Sequence, residues 1–209
     1  KDFFMYGLNY FFRISPELSN FISFRGVHVY ILIVALILSV GILSLKREGR
    51  RLELCIGSVL ITQQVILYSW YLIGGYNTLR EGLPLYHCRV AIICVGLGLL
   101  LNKRVLMKFG AYWGIFGSIG ALLFPGLDPF LFPHITQFSY FVGHLFLLWA
   151  SLYILFIKKV GMTSRELKNT LLFTNTYHIL MIILNKILNS NYGYMKESPV
   201  ALAFDLNYL

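Results

Sequence analysis

Apolar residues run in six blocks separated by short polar clusters: Val27–Leu45, Leu52–Gly74, Leu83–Leu101, Val105–Phe124, Ile135–Ile157 and Asn169–Leu188. At about 1.5 Å per helical residue, each block has the length needed to cross a hydrocarbon core about 30 Å thick. The pattern predicts an all-α, polytopic membrane helix bundle of six spans, forming a single transmembrane domain over 27–209. Residues 1–26 read differently. Aromatic residues (Phe3, Phe4, Tyr6, Tyr10, Phe11, Phe12) mix with Arg13, Glu17 and Arg25, and no small-residue cleavage site follows. That segment is expected to lie amphipathically in the membrane interface rather than to act as a signal peptide.

Composition strengthens the membrane reading. The chain is 57% hydrophobic and only 13% charged, against about 25% charged residues in soluble domains. The spans consume most of its 209 residues, so any chemistry must sit among the helices or at their ends. The net charge of +9 could suggest nucleic acid, but its distribution marks topology instead. Eleven of the 18 basic residues fall near loops 46–51, 102–104 and 158–168: Lys46, Arg47, Arg50, Arg51, Lys103, Arg104, Lys108, Lys158, Lys159, Arg165 and Lys168. By the positive-inside rule those loops are cytoplasmic. No nucleic-acid partner is expected.

Polar residues inside spans are costly unless they face protein or water. Gln64, Tyr68 and Tyr71 share one helical face, as do Gln137, Tyr140, His144 and Ser151, and as do Asn175, His178, Asn185 and Asn189. Three such faces predict a hydrophilic seam inside the bundle, which serves either as interhelical hydrogen bonding or as a site. Depth narrows the choice. Counted from the basic edges at Asn102, Lys158 and Arg51, the residues Cys88, His144 and Gln64 all lie 13 or 14 positions up their spans, about 20 Å from that boundary. Asn185 stands slightly nearer the outer surface, and His28 is at the outer end of the first span. In the fourth span, Gly110, Gly114, Gly117, Ser118, Gly120 and Ala121 predict close helix packing rather than ligand binding.

The third span opens with Leu83-Pro84-Leu85-Tyr86-His87-Cys88-Arg89. Proline favours a first helical turn, which places Cys88 slightly beyond it. The helix N-terminus and two cationic neighbours favour a thiolate there, whereas burial opposes it. A cysteine with a histidine base suits acyl transfer or hydrolysis, the alternative being a small buried hydrophobe. His87 and His144 compete for the base role. His87 projects about 100° away from Cys88 around the helix, so His144 is the better placed. Cys55 and Cys94 read as packing residues, and His178 as a hydrogen-bonded core histidine. No span carries paired metal-ligand histidines, so neither a metal nor a diffusible cofactor is expected.

These elements resemble a family. The proline-to-cysteine run, the Gly-rich fourth span ending in Phe124-Pro125-Gly126, the segment Tyr140-Phe141-Val142-Gly143-His144, and Asn185 followed by Asn191-Tyr192-Gly193-Tyr194 and Pro199 resemble the YwaF-like bacterial integral membrane proteins, which are related to eukaryotic transmembrane protein 164. The resemblance covers His28 to Tyr208. It implies a seven-helix bundle, whose last helix would begin in Val200–Leu209, and a thiol-dependent acyltransferase that moves a fatty acyl chain between phospholipids, with Cys88 and His144 as the active pair. Where the family pattern has a histidine two residues before the cysteine, this chain has Tyr86.

With that resemblance, the sequence leads to a lipid acyltransferase or transacylase near the outer leaflet of a plasma membrane that is expected to be bacterial, with membrane phospholipid as its partner. Cys88 would be the nucleophile and His144 the base. Gln64, Tyr140, Asn185, His87, His28, Asn191 and Tyr192 are the candidate substrate-binding residues. The alternative is a non-enzymatic transporter, or a ligand-binding sensor or accessory subunit, whose polar seam holds a ligand.

Overall fold

The structure, a computed structural model, describes residues 2–17, 21 and 23–197, with side chains from residue 7 onward. Pro199, the expected last helix in Val200–Leu209, and the side chains of Phe3, Phe4 and Tyr6 lie outside that range. The described elements are α1 (Asp2–Phe11), α2 (Val27–Leu43), α3 (Arg50–Gly74), α4 (His87–Leu101), α5 (Arg104–Leu123), α6 (Ile135–Leu152) and α7 (Ser164–Leu188). A π-helical turn, Tyr153–Ile157, prolongs α6, and a short 3-10 turn, Tyr192–Tyr194, follows α7. Each of the six apolar blocks is one helix. Helices α3, α5, α7 and α6 with its π-turn are long and apolar enough to cross a membrane, while α2 and α4 are shorter apolar helices.

Helix α4 starts at His87, not Leu83, for a local reason. Tyr86 is extended (φ −80°, ψ 140°), and a turn closes from the Leu85 N–H to the Leu83 carbonyl at 2.8 Å. Side chains of the last helix and the tail hold this stretch: the Leu83 N–H donates to the Tyr192 hydroxyl, and the Tyr177 hydroxyl donates to the Leu85 carbonyl. Cys88 is consequently the second residue of the helix, inside its first turn, where backbone N–H groups lack intrahelical acceptors. Irregular backbone at this depth is tolerated because it is packed against protein.

Helices α3 to α6 build the core, with α4 packed against α3, α5 and α6. Ile56, Leu60, Ile92, Val95, Leu99, Met107 and Leu147 are almost fully buried together. Close approach of α3 and α4 depends on glycine: a Cβ on Gly57 would meet the Gly96 carbonyl at 3.0 Å and Leu100 at 2.9 Å. Helix α2 lies along α6. Helix α7 is the peripheral one, with little of its most apolar stretch buried.

The predicted basic loops meet at one end of the bundle. Glu53, only 3% exposed, accepts from Lys158 Nζ at 2.6 Å, Arg50 Nη1 at 3.1 Å and the Tyr153 hydroxyl at 3.0 Å. Lys158 also reaches Glu48 at 2.7 Å, and Arg50 caps the end of α4 through the carbonyls of Leu99 and Leu100. Across the same end, Lys108 pairs with Glu166 at 2.6 Å. Glu53 is thereby locked into a structural ion cluster.

At the opposite end, residues 10–17 dock on the bundle rather than lying apart from it. Arg13 donates to the carbonyls of Leu131 (2.7 Å) and Pro133 (3.2 Å), and the Trp70 indole donates to the Phe12 carbonyl at 2.9 Å. His134 completes the clamp. It accepts from the Thr136 N–H at Nδ1, so Nε2 carries the proton and donates to the Arg13 carbonyl at 2.9 Å. Burial, with Arg13 nearby, lowers the His134 pKa to about 4 from 6.5. The unfolded imidazole therefore binds more protons than the folded one between those values, and the clamp loses stability as pH falls from 6.5 towards 4. Thermal unfolding in detergent micelles is expected to show this loss in the parent protein and a flatter pH response in His134→Gln.

Candidate functional site

Four of the sequence-predicted residues, Gln64, Cys88, Tyr140 and His144, meet where α3, α4 and α6 converge. A small polar cavity of about 80 Å³ is lined by Gln64 from α3, Cys88 and Arg89 from α4, and Tyr140 and His144 from α6, together with Glu81, Asp128 and Tyr194 from the loops and tail. A larger groove of about 430 Å³ lies on the other side, between α5 and α7, and reaches Tyr112, Trp113, Gly117, Gly120, Thr174 and His178. Cys88, His144, Tyr140 and Tyr194 line both. The thiol and imidazole are thus part of the wall between a polar cavity and an apolar groove.

His144 is held in one chemical form. Its Nδ1 is 2.6 Å from the Tyr140 carbonyl, one turn back along α6. A carbonyl only accepts, so the proton sits on Nδ1 and Nε2 presents a lone pair. Nε2 is buried and has no hydrogen-bond partner, in a residue only 4% exposed. Buried polar atoms are nearly always paired, so an orphan facing a cavity needs a reason. Orienting Nδ1 through a backbone carbonyl and leaving Nε2 free is the arrangement a general base requires.

Cys88 is partly buried and unpaired with any other cysteine, and its thiol lies against the backbone N–H groups of Cys88 and Arg89. Those donors belong to the free first turn of α4, whose positive dipole end favours negative charge. Beside them is Arg89. Its Nη1 donates to the Glu81 carbonyl at 2.6 Å and its Nη2 to the Tyr71 hydroxyl at 3.2 Å. The rings of Tyr86 and Tyr71 stand 5.0 and 5.3 Å from the guanidinium carbon, within cation–π range. The Tyr71 hydroxyl continues to Asp128 Oδ2 at 3.5 Å, and Tyr86 donates to Glu81 Oε2 at 2.7 Å. Burial pushes both the Asp128 and Glu81 carboxyls up, and Arg89 pulls each of them back down. The cavity therefore concentrates one cation and two acids beside the hydrophilic seam that the helical spacing indicated.

The remaining candidates are distributed unevenly. Gln64 points its unpartnered Oε1 from the cavity wall. The Tyr140 hydroxyl is committed, donating to the Ala121 carbonyl at 2.9 Å and accepting from the Gly126 N–H at 3.3 Å, while its ring lies 4.3 Å from that of His144. His87 turns towards α7, where its Nε2 meets His178 Nε2 at 2.8 Å, so one ring of that pair must donate to the other. The sequence places Asn185 at the seam, but the structure turns it into a tail anchor. Its Nδ2 donates to the Tyr192 carbonyl, and its Oδ1 accepts from Ser190 Oγ and the Tyr192 N–H.

Asn191 caps the following turn, accepting from the Lys196 and Glu197 N–H groups. Tyr192 is fully buried and donates to the Leu79 carbonyl at 2.9 Å. None of these three lines either cavity; the tail residue that does is Tyr194. His28 is elsewhere too. Its Nδ1 accepts from the Phe24 N–H and its Nε2 donates to the Leu122 carbonyl, both at 2.7 Å, beside a separate groove of about 630 Å³ between α2 and α6. The expected polar face of α7 also divides, with Asn175 exposed and Asn189 serving as a left-handed C-cap (φ 49°). Cys55 is exposed and Cys94 packs beneath Gly110.

Arg89, Glu81 and Asp128 are the site residues that pattern reading passed over as site members. Arg89 appeared only as a neighbour of the thiol, and the two acids sit in loops where periodicity carries no information. No group of three or more His, Cys, Asp or Glu side chains suited to a metal ion occurs among the described residues.

No curated protein and no solved structure matches the chain. Its family is nonetheless defined over nearly its whole length: residues 7–209 match the TMEM164 family. Six apolar helices and that match make the protein an integral membrane helix bundle. It belongs to the TMEM164 family.

Proposed function

We propose that this protein is a lipid acyltransferase in which Cys88 carries the acyl group as a thioester and His144 moves the proton. The observation that carries the proposal is the buried lone pair of His144 Nε2, unpartnered, on cavity walls shared with Cys88.

In the first half-reaction, His144 Nε2 takes the proton from Cys88 Sγ, and the thiolate attacks the ester carbonyl carbon of a phospholipid. The carbonyl π pair moves onto oxygen, next to the first-turn N–H groups of α4 and the Arg89 charge, which favour an oxyanion there. Collapse breaks the ester C–O bond. The departing alkoxide takes the proton from Nε2–H and leaves as a lysophospholipid, with the acyl group on Sγ. In the second half, the hydroxyl of an acceptor lysolipid gives its proton to Nε2 and attacks the thioester. The C–S bond breaks, and Sγ recovers the proton. Water in place of the lysolipid would make the enzyme a hydrolase at the same site.

No residue of this scheme requires a metal or a diffusible cofactor. The ordering of charge along the helices supports a cytoplasmic basic end, which puts Cys88, near the head of α4, in the outer half of the membrane. The test is acyl exchange between a chain-labelled donor phospholipid and an unlabelled lysophospholipid in reconstituted vesicles. Labelled diacyl product that requires Cys88 supports transfer, labelled free fatty acid instead identifies hydrolysis, and no release of label by protein with an intact thiol overturns the proposal.

A further inference from the structure

The glycines of α5 divide into two kinds. A Cβ on Gly110 would meet the Val95 backbone nitrogen at 2.9 Å, and one on Gly114 would meet Leu147 at 2.7 Å, so these two permit helix packing as the sequence predicts. A Cβ on Gly117 or Gly120 would meet nothing within 4 Å. Both line the groove between α5 and α7. Their missing side chains make empty space, not contact.

That groove has the dimensions and surface of a lipid chain site. Its lining on α5 runs from Tyr112 to Ala121, with Phe124 just past the helix end, about 14 Å along the axis at 1.5 Å per residue, close to the roughly 15 Å depth of one leaflet. Its walls are mostly apolar, and it opens at the bundle surface on the side of Phe116, which is 77% exposed. Helix α7 forms the far wall, tied across by the Trp113 indole donating to Thr174 Oγ1 at 3.0 Å and by the His87–His178 pair. The inner wall holds Cys88 and the unpartnered Nε2 of His144. A chain lying in the groove would bring its carboxyl end to the thiol.

We propose that this groove seats the fatty acyl chain of a bilayer phospholipid, entering sideways between α5 and α7, and that Gly117 and Gly120 set which chains are accepted. The proposal rests on the acyltransferase reading and assigns its chain-selecting residues. A leucine at either position starts from a Cβ that meets nothing within 4 Å and extends into the groove, and removal of a mid-helix glycine favours the helical state, so folding is expected to persist.

Two readouts separate this inference from the chemistry. Gly117→Leu and Gly120→Leu are expected to lower transfer of long chains by roughly tenfold or more, the scale of a methylene misfit in an apolar pocket. Acylation of Cys88 by a butyryl ester is expected to stay at the parental rate. Independently, a phosphatidylcholine with a mid-chain diazirine is expected to photolabel α5 and α7 peptides in Cys88→Ala, and to lose that labelling when Gly117→Leu and Gly120→Leu are added. Photolabelling without turnover in the parent would uphold the groove while sinking the transferase. Parental long-chain transfer in both leucine variants, or labelling that maps to α2 or does not respond to the leucines, would overturn the groove.

Discussion

Cys88→Ser is expected to reduce acyl exchange to background, because a serine hydroxyl is far less acidic than a thiol and a neutral imidazole activates it poorly in this buried setting. His144→Ala is expected to slow exchange by about 10²- to 10⁴-fold, the usual contribution of a positioned general base. The two losses should not add. Nucleophile and base act as one unit, so the double variant should be no slower than Cys88→Ser alone. Imidazole supplied in solution should restore part of the His144→Ala rate, since the substitution vacates ring volume between two existing cavities. A merely structural histidine would give instability without rescue. Steady-state exchange in vesicles, with thermal unfolding of each variant as the control, measures all of this.

Arg89→Met is the second large effect, because it removes the one cation among the groups lining the polar cavity and leaves Glu81 and Asp128 there without it. Stripping one partner from a buried charge set costs about 3–5 kcal/mol. The guanidinium also supports any oxyanion beside the α4 N-terminus, and losing one such donor costs roughly 10²–10³ in rate. Arg89→Lys separates these contributions. It keeps the charge but lacks the planar fork that serves the Glu81 carbonyl and Tyr71 hydroxyl at once, so it should recover most of the stability and less of the rate. Arg89→Met with Asp128→Asn should regain stability without regaining exchange. Full exchange by Arg89→Met would show that the guanidinium only holds the loops together.

The helices were legible because lipid imposes a long apolar run on each of them, and the basic loops were legible because they alternate. Counting residues from the basic edges put Gln64, Cys88 and His144 on one level, and the structure places all three on one cavity wall. What the pattern could not show was which polar groups had already found partners. Asn185 has the spacing of a seam residue, yet the tail folds back and occupies its whole amide. The four glycines of α5 look alike in sequence, because spacing does not distinguish a face that meets a neighbouring helix from one that meets empty space. Pro84 suggested an early start to the third span, but Leu83–Tyr86 are held in a non-helical turn by Tyr177 and Tyr192 from distant positions. Contacts of that sequence separation leave no periodic trace, and they are what bring the N–H groups of α4 to the thiol.

The most direct test of the account is intact-protein mass spectrometry after incubation with mixed phospholipids, on the parent, Cys88→Ala and His144→Ala. A Cys88 thioester formed with the help of His144 predicts an acyl-sized mass increment on the parent that hydroxylamine removes, that is absent from Cys88→Ala and that fails to accumulate on His144→Ala. An unmodified parent under conditions of active acyl exchange, or an increment that persists in Cys88→Ala, would contradict it.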